Sequence, residues 1–287
     1  MSERVQVRKT YKLYIGGRLP RSESGRSYEV LDSKGHFLAN PALASRKDAR
    51  DAVVAARAAF AGWSQATAYN RGQVLYRVAE VMEGRRDQLA TEVAAAEGLT
   101  RRKAESVVEA SIDRWVWYAG WTDKLAQVVG GANPVAGPFF NFSVPEPTGV
   151  VAVVAPQRSS LLGLVSVLAP VIATGNTAVV VASRTMPIPA VTLSEVLATS
   201  DVPGGVVNIL TGAPWEMAPW LASHMDVNAI DLAGSGLDAV DLEKAAADNL
   251  KRVRRPVDAD LDWTGEPGIE RLTAFVETKT VWHPVGL

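Results

Sequence analysis

Residues 146–187, EPTGVVAVVAPQRSSLLGLVSVLAPVIATGNTAVVVASRTMP, decide the fold together with DVPGGVVNILTG at 201–212. Residues 150–155 form a valine-rich apolar run bounded by Gly149 and Pro156, the pattern of a strand buried on both faces. A helical pattern follows over 160–173, and a second buried strand over 177–182. Strand, helix and strand in that order are the sequence form of a parallel α/β sheet covered on both sides. Units of this kind often hold nucleotides at the carboxyl ends of their strands. The loops here, however, carry almost none of the polar groups a nucleotide needs.

Working outward, residues 11–15 alternate as a short strand and meet Gly16-Gly17, a hairpin signal, with 27–31 as the expected return strand. Ser45 is a candidate N-cap for a helix through Ala49, Ala52, Val53, Ala56, Phe60 and Trp63, with Gly62 near its stop. A second helix is expected after Asn70, breaking near Gly84, with its apolar stripe continued over 89–96. A third is expected over 101–124, where Trp115, Tyr118 and Trp121 read as core. Residues 130–138 are rich in breakers. Residues 139–144 are extended and end at Pro145 and Pro147, as in a strand that leaves the main sheet. Later come a short helix over 216–222, a strand over 229–233 and a helix over 241–250. Residues 251–271 alternate basic and acidic blocks with turn residues and read as a linker. Residues 272–282 then alternate as a strand, which must join an edge because a lone strand is not stable.

With 287 residues, 47% of them hydrophobic, the chain can bury a sizeable core. Thirty basic against thirty-one acidic residues give a net charge of -1, so no global field draws it to nucleic acid or anionic membranes. There is no cysteine, which excludes disulfides, thiolate metal sites and a cysteine nucleophile together. The three histidines, His36, His224 and His283, lack metal-ligand spacing. The polar start, MSERVQVRKTYK, has no signal-peptide core, and residues 1–10 read as a mobile arm. A cytoplasmic protein is the expectation. Ser159-Ser160 sits where a nucleophile elbow would, but without its flanking glycines; an N-cap is the reading. Glu109 and Asp113 read as a solvated face. The basic clusters at Arg85-Arg86 and 101–103 are flanked by acidic residues, which disfavours a phosphate site.

Seven segments resemble the aldehyde dehydrogenase superfamily in the family's order: KLYIGGRLPRSESGR (12–26), EPTGVVAVVAP (146–156), LAPVIATGNTAVVVAS (168–183), VPGGVVNILTG (202–212), LASHMDVNAIDLAGS (221–235), AADNLKRV (246–253) and FVETKTVW (275–282). The likeness is to the degenerate second half of the tandem members. It implies an α/β fold: a Rossmann-like, doubly wound parallel sheet over residues 11–250 with a protruding β oligomerisation arm. Residues 139–148 would belong to that arm, and 272–287 would be its C-terminal strand. In the family, AADNLKRV leads into the general-base motif. Here the linker follows, and then the segment resembling the family's extreme C-terminus, which implies that the catalytic domain between them is missing.

The resemblance also assigns the cofactor loops. Its Pro-Trp-Asn-Phe-Pro turn reads Pro156-Gln157-Arg158-Ser159-Ser160, so Arg158 replaces the asparagine of the oxyanion hole. Its Lys-Pro-Ser-Glu turn reads Val181-Ala182-Ser183-Arg184, which removes a ribose-binding lysine and reverses a charge. Gly234 and Ser235 remain from the phosphate-facing Gly-Ser-Thr-x-x-Gly entry; Gly236 and Ala239 replace its threonine and last glycine. A helix N-terminus there could still hold an anion. No catalytic residue is assigned, and NAD(P), the ancestral cofactor, is not expected to bind tightly. The arm residues Phe140, Phe142, Val144, Phe275, Glu277, Lys279, Val281 and Trp282 form the expected interface with a partner. A reciprocal homodimer needs both donor and acceptor surfaces on each chain. The expected partner is therefore a full-length, cysteine-containing aldehyde dehydrogenase, for which this chain is a non-catalytic subunit. The alternatives are a free-standing nucleotide- or anion-binding protein that uses the degenerate cleft, and a homo-oligomeric structural protein.

Overall fold

The computed structural model describes residues 9–286. The expected arm at 1–10 falls mostly outside them; within them, Lys9 pairs with Glu195 at 2.6 Å. Gly16 and Gly17, at φ 61° and 78°, close a two-residue hairpin in which Ile15 and Arg18 exchange both backbone hydrogen bonds. Positive φ at both positions is what such a turn requires. The return residue is thus Arg18 and not the 27–31 stretch. That stretch instead supplies β1 (Val30–Leu31), antiparallel to β2 (Phe37–Ala39).

Helix α1 (Arg46–Gln65) starts at a capping box: Ser45 Oγ accepts from the Lys47 and Asp48 amides, and Asp48 accepts the Ser45 amide at 2.8 Å. The Asp48 carboxylate also accepts Ser22 Oγ and the Glu23 amide, tying the N-terminal segment to the helix. The helix runs past Gly62 because Trp63 is buried, its indole N–H donating to the Ile172 carbonyl at 2.9 Å. Thr67, earlier than the sequence suggests, caps α2 (Ala68–Gly84). Next are α3 (Arg86–Glu97), α4 (Arg101–Trp121) and a short, unforeseen α5 (Leu125–Val129).

Residues 130–138 are not all loop: β3 (Gly131–Asn133) pairs with β4 (Phe139–Pro147). The strand β4 continues through both prolines. That is tolerated because β3 covers only residues 141–143, leaving the prolines on an otherwise free edge. Then come β5 (Val150–Val154), α6 (Leu162–Ala173), β6 (Thr177–Val181), α7 (Ile188–Leu197), β7 (Val207–Leu210), α8 (Pro214–Ser223), β8 (Ala229–Asp231) and α9 (Ala239–Ala247). The expected linker opens as a strand, β9 (Arg252–Arg254), and ends in a single helical turn, α10 (Glu270–Thr273). The last strand is β10 (Val276–Pro284).

The main sheet runs β7-β6-β5-β8-β9, all parallel. Every residue of β5 and β6 is buried because helices cover both faces. Val151, Val153, Ala178 and Val180 face the core shared with α2, α3, α4, α6 and α7. Their neighbours Val150, Ala152, Val154, Val179 and Val181 pack with α1, α8 and α9. This is a doubly wound sheet. α6 is apolar on every side but for Ser166 and wholly buried, sandwiched between the sheet and the outer helices. Tyr14 exchanges two backbone hydrogen bonds with Ile209 and so covers part of the outer edge of β7.

A second sheet, β10-β4-β3, stands apart, and β10 lies antiparallel to all nine residues of β4. The C-terminal strand thus finds its edge within this molecule. Residues 255–275 do not float free. Arg114 donates to the carbonyls of Trp263 and Gly265 at 2.7 and 2.9 Å. Leu272 and Phe275 are buried in the core, so Phe275 is a packing residue and not, as expected, an interface residue. Asn176 fastens both sheets, accepting from the Gly149 amide and donating to the Phe275 carbonyl, each at 2.8 Å.

Candidate functional site: the crevice at the switch point

Strand order reverses between β5 and β8, so the crevice beyond their carboxyl ends is where an open α/β sheet offers a binding site. A cavity of about 240 Å³ lies there. Its walls are the turn after β5 (Pro156, Gln157, Arg158), the turn after β8 (Ala233, Gly234, Gly236) and residues 256–259 after β9. Gly234 is required by close approach. A Cβ there would stand 1.9 Å from the Ala155 oxygen and 2.7 Å from Pro156 Cα, both backbone atoms. Gly234→Ala is therefore expected to destabilise the chain by about 2–3 kcal/mol, the cost of overpacking a site that cannot relax. Urea midpoints of the two proteins measure it; an unchanged midpoint would show that the two turns can separate freely.

The polar groups at the crevice are mostly engaged with each other. Gln157 Nε2 donates to the Ala155 carbonyl at 2.7 Å, and its Oε1 accepts the Arg184 amide at 2.9 Å. Ser183 Oγ donates to the Gln157 carbonyl and accepts the Met186 amide. The turns after β5 and β6 are thus bolted together by the side chains a ligand would otherwise use. Arg158, largely exposed, forms an ion pair with Asp260 across the mouth of the crevice. Arg184 stacks on Tyr28, its guanidinium 3.5 Å from the ring centre. Val181 is buried in the core beside Val179 and does not line the cavity.

The helix N-terminus after Gly234-Ser235 is also filled. Asp238 caps α9, accepting the Val240 amide at 2.9 Å, so a carboxylate already occupies the place expected for an anion. The sequence sign of this cap is an aspartate standing directly before a helical run. Ser235 is buried, its Oγ accepting the Leu237 amide at 3.4 Å. Ser159 Oγ accepts the Gly163 amide at 2.8 Å, but neither Ser159 nor Ser160 is the expected N-cap: α6 starts after Leu161, two residues beyond Ser159 and without a side-chain cap. Ser160 instead donates to Glu97 Oε1 at 2.6 Å and is buried. Burial pushes the Glu97 carboxyl above its ordinary range. Nothing in the local sequence announced this contact, because the partners are 63 positions apart.

Among the described residues no group of three or more His, Asp or Glu is placed to hold a metal, and no helix is long and apolar enough to cross a membrane. Of the expected interface residues, Phe140, Phe142 and Val144 alternate along β4 on one face of the small sheet. They stand opposite His283, Val281 and Lys279 of β10. Glu277 lies on that same face, opposite Glu146, and Lys279 pairs with Glu146 at 2.8 Å. Trp282 is on the opposite face, where it meets Phe139 edge-on at 5.7 Å.

Residues 21–255 match the family model described as "Aldehyde dehydrogenase family". The chain is 32% identical over 260 residues to the cytosolic 10-formyltetrahydrofolate dehydrogenase of Mus musculus, covering 88% of this chain and 28% of the relative. It is 33% identical over 248 residues to an aldehyde dehydrogenase of Davidiella tassiana, covering 84% of this chain and 49% of that one. Among solved structures it superposes on PnpE from Pseudomonas sp. WBC-3 with a TM-score of 0.81 at 30% identity, covering 85% of this chain and 50% of that chain. The chain thus spans about half the length of the aldehyde dehydrogenases it matches, and a smaller share of the 10-formyltetrahydrofolate dehydrogenases.

Proposed function

The chain belongs to the aldehyde dehydrogenase family, and from that premise we propose that it acts without dehydrogenase chemistry of its own, as a subunit of an aldehyde dehydrogenase complex. One observation carries the reading. A sheet with an apolar face and outer edges unpaired among the described residues coexists with a crevice whose polar groups are mostly spent on one another. The chain has no cysteine to act as nucleophile, and Arg158, at the position the resemblance gives to the oxyanion donor, is paired with Asp260. What is left to the fold is to present β10-β4-β3. Phe140, Phe142, Val144 and Val281 supply the apolar part of that surface, and Lys279, Glu146 and Glu277 its charged rim. Its partner in this reading is a full-length, cysteine-containing aldehyde dehydrogenase that oxidises an aldehyde with NAD(P), in the cytoplasm.

Co-expression of the tagged chain with such an enzyme from the same source is expected to recover both in one complex of defined mass. A stable monomer that never retains the enzyme would overturn the reading. A second reading, a free-standing protein that binds a nucleotide or anion, has the crevice cavity in its favour. The two separate cleanly in calorimetry. The subunit reading expects no saturable heat with NAD or NADP below about millimolar concentration, corresponding to less than about 4 kcal/mol of binding free energy. Micromolar binding of either would favour the second.

A further inference from the structure

Away from the crevice, a second pocket of about 180 Å³ lies between α4, α6, β9 and residues 262–271. That is many times the roughly 10–15 Å³ a single water needs. Its inner wall consists of hydrogen-bond donors: Arg114 and Tyr118 from α4, Ser166 from α6, Arg254 from β9 and Arg271 from α10. The acids that line it, Asp262, Glu266 and Glu270, are all on the exposed outer segment. Charge is therefore graded, with cations inside and carboxylates at the wet rim.

Three buried donors find no partner. The Tyr118 and Ser166 side chains are 0% and 1% exposed, and neither hydroxyl makes a hydrogen bond among the described residues. The same holds for Arg254 Nε. Burying a donor without a partner forfeits its hydrogen bond to water, so three lining one cavity call for an acceptor. Arg271 has its own counterion in Asp231 at 2.7 Å. Arg114 donates only to carbonyl oxygens, and no carboxylate comes within 4 Å of Arg114 or Arg254 among the described residues. Arg114 and Arg254 thus have no ion-paired carboxylate among the described residues, although Asp231 and Glu270 act on Arg254 from beyond 4 Å, and they stand beside two hydroxyls without partners. Burial, reinforced by Arg271, holds the Arg114 and Arg254 guanidiniums below their ordinary range, for Arg254 against the opposing pull of Asp231 and Glu270.

We propose that this pocket binds a small monocarboxylate. Its carboxylate faces Arg254 and the hydroxyls of Tyr118 and Ser166, and its neutral or cationic end is directed to the acidic rim. A planar carboxylate accepts from a guanidinium fork and a hydroxyl together. Asp262, Glu266 and Glu270 stand against a second negative charge, which disfavours dicarboxylates and phosphate. The inference does not depend on the chain being a subunit of a larger complex, and the test uses the chain alone.

Calorimetry with propionate, glycine, malonate and inorganic phosphate tests it on the full chain. Propionate or glycine should bind saturably, and malonate and phosphate at least about ten-fold more weakly. Tyr118→Phe, which keeps the ring and removes only the hydroxyl, should lower the affinity about ten-fold while circular dichroism stays unchanged, since a hydrogen bond to a charged group is worth at least that factor. Ser166→Ala should act in the same direction and serves as a second probe should Tyr118→Phe not fold. No saturable binding of propionate or glycine would overturn the proposal and leave water as the occupant. So would malonate or phosphate binding as tightly, or affinity untouched in a folded variant.

Discussion

Arg271→Ala is expected to remove about 3–5 kcal/mol of folding stability near neutral pH, the usual cost of stripping one partner from a buried ion pair. Asp231 is 1% exposed in its side chain and Arg271 13%, and they meet at 2.7 Å. The carboxylate also accepts the Ala233 amide at 2.9 Å. Without the guanidinium, a charge on the middle strands of the sheet would lose its main compensation. Complete burial already lifts the Asp231 carboxyl above its ordinary range, against the pull of Arg271 and the Ala233 amide. The substitution should lift it further. A carboxyl whose folded pKa exceeds its unfolded value binds more protons in the folded state between those two values, so stability falls as pH rises through that window. The destabilisation of Arg271→Ala should therefore shrink as pH is lowered from 7.5 toward 5. Urea titrations of both proteins at the two pH values measure this. An equal loss at both would show that the charge on Asp231 is not its source. Asp231→Asn combined with Arg271→Met should recover much of the loss, because a buried pair gives little net stability over an uncharged replacement.

This ion pair also marks the limit of what the sequence discloses. Strands β5 and β6 were legible because both their faces are buried, which writes an uninterrupted apolar run into neighbouring residues. The start of α1 was legible because a capping box is local, Ser45 answering Asp48 three residues on. Gly62 misled as a stop signal. Glycine weakens a helix by only about 1 kcal/mol, less than the burial of Trp63 one residue later contributes. Residues 251–271 misled more seriously, since their charges read as solvation. Arg252 forks onto Glu277 and Arg255 onto Glu243, and Val253 pairs with Ile230 in the sheet. Each partner is distant in sequence, so no window of neighbouring residues records it. Leu272 and Phe275 did carry a signal, their three-residue spacing being helical rather than alternating. In the crevice, the resemblance located the altered positions. It could not say that Gln157, Ser183 and the Arg184 amide bond to one another, or that Arg184 lies on Tyr28. Those are distances, and they turn a list of missing cofactor contacts into a description of what replaced them.

The second large effect is expected in association and not in folding. Phe140 stands on β4 with its side chain about half exposed, on the same face as Phe142, Val144 and Val281. Its ring meets Phe142 at 5.5 Å, which extends one apolar surface across the strand. If that face docks on a catalytic subunit, Phe140→Asp sets an unpaired charge into the contact. Central aromatic residues of protein interfaces cost about 2–4 kcal/mol when lost, so affinity for the partner should fall roughly 30- to 1,000-fold. Stability of the isolated chain should shift by no more than about 0.5 kcal/mol, because an exposed strand position carries little of the fold. Trp282, equally exposed but on the other face against Phe139, is the matched control. Trp282→Asp removes at least as much apolar surface and should leave binding within a few-fold of wild type. Sedimentation of each variant with the full-length enzyme reads both numbers in one experiment. The reverse order, Trp282 essential and Phe140 indifferent, would move the docking surface to the other side of β4. Equal indifference at both would leave only the free strand edges as the means of contact. Strand edges make backbone hydrogen bonds whatever the side chains, so that outcome would leave the two faces of the sheet without a part in choosing the partner.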